Sequence, residues 1–306
     1  MTRRRPLLLA GLASLAPSAG RAGVSFVTTE VAPGLHVRQG VHQEATPANA
    51  DGIANIGFVV GDRSVAVIDP GGSLTDGQGL RARIRAVTDR PISHVIMSHL
   101  HPDHVFGAPA FAEDHALFVA HARMLPALVS RGEYYRNRLA DILGIEAAGD
   151  YAKPDILVQD TARIDLGGRT LALRAHPTAH TDNDLSILDE TTSVLWAADL
   201  LFVDRVPALD GSILGWLAAT RALRGTAARF AVPGHGPALV TWPDAALPQE
   251  RYLGLLVREI RTILARGGTI EEAVASVGRS ERGNWLLFDD YNGRNVTSAF
   301  KELEWE

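Results

Sequence analysis

The chain contains no cysteine. That absence excludes disulfides, thiolate metal ligands and a cysteine nucleophile. A surplus of positive charge is missing too. Thirty Lys and Arg stand against 35 Asp and Glu, a formal charge of −5, and no basic patch interrupts the sequence. Binding to nucleic acid is therefore not expected. Past the first two dozen residues there is no apolar run long enough to span a bilayer, and no repeat, low-complexity tract or linker. What remains is 306 residues with 46% hydrophobic and 21% charged side chains, ordinary globular composition for one large domain or two small ones.

The N-terminus departs from this average. Thr2-Arg3-Arg4-Arg5 is a basic stretch, and Leu7 to Ala16 is a short apolar run. Small residues follow, with Gly20-Arg21-Ala22 as a cleavage site. This is the pattern of a signal peptide, and paired arginines before leucines resemble a twin-arginine signal. The expectation is a leader over 1–22, a mature domain over 23–306 and export to the periplasm.

The densest chemistry is His99-Leu100-His101-Pro102-Asp103-His104. The preceding His94-Val95-Ile96-Met97-Ser98 reads as a buried strand. The polar residues thus emerge at a strand's C-terminal end, where α/β sheets place their sites. A tight turn there aims His99 and His101 at one cation and Asp103 and His104 at a second.

Elsewhere the pattern alternates between hairpins and helices. Ile53–Val60 with Ser64–Asp69, Thr161–Leu166 with Arg169–Arg174, and Asp184–Asp189 with Ser193–Ala197 read as three hairpins. Leu35–Gln39, Leu117–Ala120 and Arg229–Val232 read as further strands. Helices are expected over Asp76–Val87, Ala122–Gly144 with a break near Ser130-Arg131-Gly132, Ile213–Leu223 and Leu247–Arg266. Thr269 opens another through a capping box, and Asn295 is expected to cap a last one. Two α/β halves packed sheet to sheet, helices outside, account for this order.

Three later residues complete the constellation, each after an apolar run: His180, Asp199 and His235. Together they supply two imidazoles and the carboxylate that a second cation needs. Asp69 ends a strand and can orient a metal-bound histidine, and His176 is expected beside the site or in a structural role. Phe106, Tyr134, Tyr135, Arg138, Phe202 and Trp216 lie in segments able to reach the mouth and are candidates for substrate contact.

Over about Val31 to Pro237 these motifs resemble the metallo-β-lactamase superfamily. The resemblance implies an αββα sandwich with a binuclear site, usually zinc. By position, His99, His101 and His180 resemble the first metal's ligands, and Asp103, His104 and His235 the second's. Asp199 resembles the bridging carboxylate. Asn55-Ile56-Gly57-Phe58, Leu209-Asp210-Gly211-Ser212 and Leu303-Glu304-Trp305-Glu306 resemble a narrower subgroup, the quinoprotein relay system zinc metallohydrolases. That subgroup implies an exported protein associated with PQQ-dependent dehydrogenases.

Two cations about 3.5–4 Å apart can share a water and lower its pKa towards neutral. Nitrogen and carboxylate donors suit zinc, and also iron or manganese. Asp103 is the natural group to hold the proton of that water. With a carboxylate at Asp199, where the lactamases proper usually have cysteine or histidine, the ligand set resembles the superfamily's thioester, lactone and phosphoester hydrolases more than its lactamases, which implies a small ester, thioester or lactone as substrate. Rival expectations are a β-lactamase, a mononuclear iron dioxygenase needing only His99, His101, His180 and Asp199, and a non-catalytic accessory module for a periplasmic dehydrogenase.

Overall fold

The structure is a computed structural model and describes residues 26–306. The expected leader over 1–22 lies outside the described residues. In chain order the first half contributes strands β1 (Thr29–Ala32), β2 (Leu35–Arg38), β3 (Ile56–Val60) and β4 (Val65–Ile68), helix α1 (Leu74–Val87) and strand β5 (Ile92–Met97). Helix α2 (Pro102–Val105), strand β6 (Leu117–His121), helices α3 (Met124–Leu143) and α4 (Ile145–Ala148), and strand β7 (Ile156–Val158) follow. The second half contributes strands β8 (Thr161–Asp165), β9 (Thr170–Ala175), β10 (Leu185–Asp189) and β11 (Val194–Phe202), helix α5 (Ile213–Arg224), and strands β12 (Phe230–His235) and β13 (Val240–Thr241). Helices α6 (Leu247–Ala265), α7 (Ile270–Ser276) and α8 (Phe288–Leu303) close the chain.

The strands form two mixed sheets in the orders β1-β2-β3-β4-β5-β6-β7 and β13-β12-β11-β10-β9-β8. All three expected hairpins form as antiparallel pairs. The parallel pairs are β4 to β5, β5 to β6, β6 to β7 and β11 to β12, and α1, α3 and α5 lie in connections between parallel strands. Such crossovers put helices on the sheets' outer faces.

Side-chain alternation assigns the layers. In β4, Ala66 and Ile68 face the second sheet, while Val65 and Val67 face α1 with Leu80 and Ile84. In β11, Val194, Trp196 and Ala198 face the first sheet, while Leu195 and Ala197 join the core under α5, α6 and α8. A period of two with both phases apolar is what a strand buried on both sides requires. The outcome is the αββα sandwich. No helix among the described residues is long and apolar enough to cross a membrane.

Three expectations need correction. Helix α3 runs unbroken through Ser130-Arg131-Gly132. A Cβ on Gly132 would stand 2.3 Å from the Tyr151 ring, so this glycine admits a neighbouring side chain and does not end the helix. Asn295 caps nothing. It lies inside α8, where its side chain accepts from Leu209 N and donates to Pro207 O, tying the last helix to the loop after β11. Strand β11 continues past Ala197, so Asp199 projects from within the strand. Its pairing with β12 is irregular there, and Ala198 has a φ of 47°, a bulge that re-aims the carboxylate.

Candidate metal centre

The seven residues expected as ligands converge at one edge of the sandwich. Donor atoms of His99, His101, His180 and Asp199 lie within 4.8 Å of one another, and so do those of Asp103, His104 and His235. Each position has a local cause. His99 leaves the end of β5, and Pro102 starts α2 with its φ already helical, which turns Asp103 and His104 back over the strand ends. His180 sits in the loop from β9 to β10, and His235 ends β12. Asp199 fits because residue 234 is glycine: a Cβ there would stand 1.8 Å from its Oδ1.

Hydrogen bonds on the far side of the rings fix which nitrogen faces inward. Asp69 accepts from Ser98 N at 2.7 Å, from Ser98 Oγ at 2.9 Å and from His104 Nδ1 at 2.8 Å. Ser98 Oγ in turn accepts from His99 Nδ1 at 3.0 Å, and Ile53 O accepts from His235 Nδ1 at 3.0 Å. His99, His104 and His235 therefore present Nε2 lone pairs inward. His101 is reversed. Its Nδ1 lies 3.0 Å from Nε2 of both His99 and His180, while its Nε2 donates to Asp210 Oδ2 at 3.0 Å.

Whether these residues fit a cation can be tested on the distances. A tetrahedral ion with bonds of about 2.0–2.1 Å sets its donor atoms roughly 3.3 Å apart. In the first group the separations include 3.0 Å between ring nitrogens, and 3.6 and 3.2 Å from Asp199 Oδ2 to His99 and His180. In the second they are 3.7 Å from Asp103 Oδ2 to His104 and 3.4 Å to His235. Asp199 reaches this group as well, with Oδ1 at 3.0 Å from His104 and Oδ2 at 3.5 Å from His235. His104 Nε2 and Asp199 Oδ1 are this close and buried, yet neither has a hydrogen-bond partner. Convergent, buried, unsatisfied donor atoms at this spacing fit cations.

The electrostatics agree. Burial opposes charge on Asp103 and Asp199, but the neighbouring imidazoles outweigh it and hold both carboxyls well below their usual range. Burial, helped by His101 and His104 and opposed by Asp199 and Asp210, pushes His180 down to about 3, and burial dominates the lowering of His99. His104 moves the other way: Asp199, Asp103 and Asp69 overcome its burial and raise it well above the ordinary value. Without a cation, a proton on His104 takes part of its place.

Asp69 touches His104, as described. His176 touches none of the seven. Its ring pairs with Ser186 Oγ at 2.8 Å, its carbonyl accepts from His121, and burial lowers it to about 4. Of the expected substrate contacts, Tyr135 and Arg138 line a pocket of about 250 Å³ that opens at Asp103. Tyr134 is exposed beside it. The other three correct the expectation of contact. Phe106 is fully buried among Met97, Leu100 and Met124. Phe202 stacks on His235 at 4.8 Å, and Trp216 packs edge-on to His180 at 5.1 Å with its Nε1 donating to Leu200 O. These two aromatic rings back the histidines from inside the core.

Sequence reasoning missed four residues. Asp210 appeared only inside a motif, yet it accepts from both His101 and Arg131, at 3.0 and 2.5 Å. Burial works against its charge, and His101 and Arg131 still bring it to about 2. Ser98, in the sequence simply the last residue of a strand, links Asp69 to His99 through its hydroxyl. Asp51 lines the pocket, where burial and then Asp103 raise its pKa well above the usual range. Glu44 lines the pocket too and is held by Tyr291 and Arg205. Charged residues in loops carry no periodicity, so only the spacing of metal-ligand types could have flagged any of them. Replacing Asp210 by Ala should free the His101 ring and weaken cation binding about 10- to 100-fold, the usual cost of losing such outer partners. Competition with a chromophoric chelator measures it; unchanged affinity would remove Asp210 from the site.

The fold and centre define a protein of the metallo-β-lactamase type. A model of the metallo-beta-lactamase superfamily matches residues 49–235, more than half of the chain, and the chain belongs to that superfamily. Among solved structures it is similar to a double mutant of the sec-alkyl sulfatase PisA1, with a TM-score of 0.62 and 20% identity over 82% of this chain and 45% of that one. It is also similar to a metallo-beta-lactamase from Pontibacter korlensis, with a TM-score of 0.59 and 16% identity over 74% of this chain and 98% of that one. A linear primary-alkylsulfatase of Pseudomonas sp. (strain ATCC 19151) is 33% identical over 48 residues, 16% of this chain and 9% of that protein. The chain thus spans less than half of either sulfatase it matches.

Proposed function

We propose that this protein is an exported hydrolase with two zinc ions, acting on a small ester, thioester or lactone. The carrying observation is the second donor group. A mononuclear dioxygenase needs only His99, His101, His180 and Asp199, yet Asp103, His104 and His235 stand beside them with Asp199 in reach of both groups. His99, His101 and His180 would hold one ion, Asp103, His104 and His235 the other, with Asp199 between. When bound, two such ions supply Lewis acidity and a water made nucleophilic near neutral pH. The chain's part is orientation and proton handling. Asp69 and Asp210 hold His104 and His101 in their tautomers. Asp103, kept anionic and facing the pocket, accepts a proton at Oδ. The association with PQQ-dependent periplasmic oxidation is proposed from the motif likeness, and a pull-down against periplasmic dehydrogenases tests it.

Protein purified from its native compartment should carry about two zinc ions per chain, and its intact mass should start near Gly23. It should hydrolyse members of a panel of activated esters, thioesters, lactones, phosphodiesters and alkyl sulfates. One iron with no zinc would overturn the metal reading. A full-length cytoplasmic product would overturn export. A negligible rate on the whole panel with both metals present would leave the accessory-module reading in front.

A further inference from the structure

Four residues of α3, Tyr135, Arg138, Leu139 and Ile142, line the pocket beside Asp103. Their spacing of three, four and seven puts them on one face of the helix. Ile53 faces them across the same space. Leu139 and Ile142 make part of this wall apolar, and Arg138 is the sole cationic side chain lining the pocket, which Glu44, Asp51 and Asp103 also line. Among the described residues the Arg138 guanidinium has a single side-chain partner, the Tyr134 hydroxyl at 3.3 Å, and no ion pair. The acid nearest in function, Glu44, is on the same mouth but is engaged by the Tyr291 hydroxyl and by Arg205. Three other arginines are paired with acids: Arg131 with Asp210, Arg136 with Asp150, Arg205 with Glu44. A guanidinium on the pocket wall whose one side-chain partner is neutral suits a ligand that brings its own anion.

The position limits where that anion lies on the ligand. The Tyr135 ring is 6.2 Å from the ring of His101, at the donor cluster. Arg138 is three residues further along α3, about 4.5 Å along the axis at 1.5 Å per residue. A negative group on Arg138 is therefore displaced from the reacting bond. Leu139, Ile142 and Ile53 line the same space and offer apolar contact to the hydrocarbon that carries it.

We propose that Arg138 makes this site selective for esters that carry a negative group at the far end of a short hydrocarbon chain. The proposal rests on the hydrolase reading above and names the substrate class for it. The test pair is the 4-nitrophenyl hemiester of adipic acid and its methyl ester, alike in shape and different in charge. The zinc-loaded parent should prefer the acid about tenfold in kcat/KM, the scale of a hydrogen bond to a charged group, mainly through KM. Arg138→Gln should bring the two within about twofold. Arg138→Lys should restore part of the preference, and Arg138→Glu should reverse it towards the ester of 6-(trimethylammonio)hexanoic acid.

A preference absent from the parent, or kept in Arg138→Gln, overturns the proposal. Hexyl sulfate has its charge at the bond to be cleaved. An Arg138→Gln loss confined to hexyl sulfate would put the guanidinium at the reacting group and also overturn it. If the parent cleaves no ester, the hydrolase reading fails, and calorimetry decides the proposal separately. Hexane-1-sulfonate binding at least fivefold tighter than 1-hexanol, with the difference gone in Arg138→Gln, supports it. Equal binding of the two refutes it.

Discussion

Replacing Asp103 by Asn is expected to lower ester or thioester turnover by roughly two to four powers of ten at matched metal content, the scale of lost general acid–base help. The substitution keeps the size and one oxygen. It removes the charge that His104 and His235 stabilise against burial, and with it a proton acceptor lining the pocket. Asn should also bind the second ion more weakly, so turnover is compared only after metal analysis of each sample. His235→Ala gives the contrast. Its imidazole supplies a lone pair and no proton transfer, so its loss should appear chiefly as missing metal and be reversed in part by excess zinc. His176→Ala should do far less than either, since that ring bonds Ser186 and touches none of the seven. An Asp103→Asn protein with two ions and full activity would take the proton role away from Asp103.

The sequence made the metal centre legible because its chemistry is local. Four of its seven side chains lie within six residues, and the other three each follow an apolar run. The two-sheet fold was legible for a similar reason, since each half of the chain builds its own sheet in sequence order. What escaped were decisions made across the fold. Asn295 looks like a cap, but the helix starts seven residues earlier and Asn295 is spent on Leu209 and Pro207, distant in sequence. Gly132 looks like a helix breaker, and its partner is the ring of Tyr151. Phe106, Phe202 and Trp216 are aromatic residues near the ligands in sequence, and burial of their large apolar surface decided their direction. Arg131, Asp210 and Glu44 act through partners between 79 and 247 residues away, which no window along the chain can pair.

Asp69→Ala should destabilise the metal-free protein by about 3–5 kcal/mol, although Asp69 is not itself a candidate ligand. The carboxylate is fully buried and accepts from three donors, Ser98 N, Ser98 Oγ and His104 Nδ1. Truncation strands all three, and each buried donor left unpaired costs about 1–3 kcal/mol, less whatever Ser98 recovers by rotating. The backbone adds to this. Asp69 has a φ of 57°, a conformation that Asp tolerates better than Ala. The effect depends on pH with a definite sign. Burial lowers the pKa of His104, but Asp199, Asp103 and Asp69 raise it further and leave it well above its ordinary value. Charge pairing at His104 therefore stabilises the metal-free fold fully below about pH 6.5, the unfolded value, and fades as the pH rises through the folded one. The Asp69→Ala penalty should accordingly be larger at pH 6 than at alkaline pH. Denaturant unfolding at the two pH values measures both quantities. Asp69→Asn, which keeps one acceptor, should fall between parent and Ala. An Asp69→Ala protein as stable as the parent, with unchanged zinc affinity, would mean that Ser98 and His104 find other partners and that Asp69 does not organise this end of the sheet.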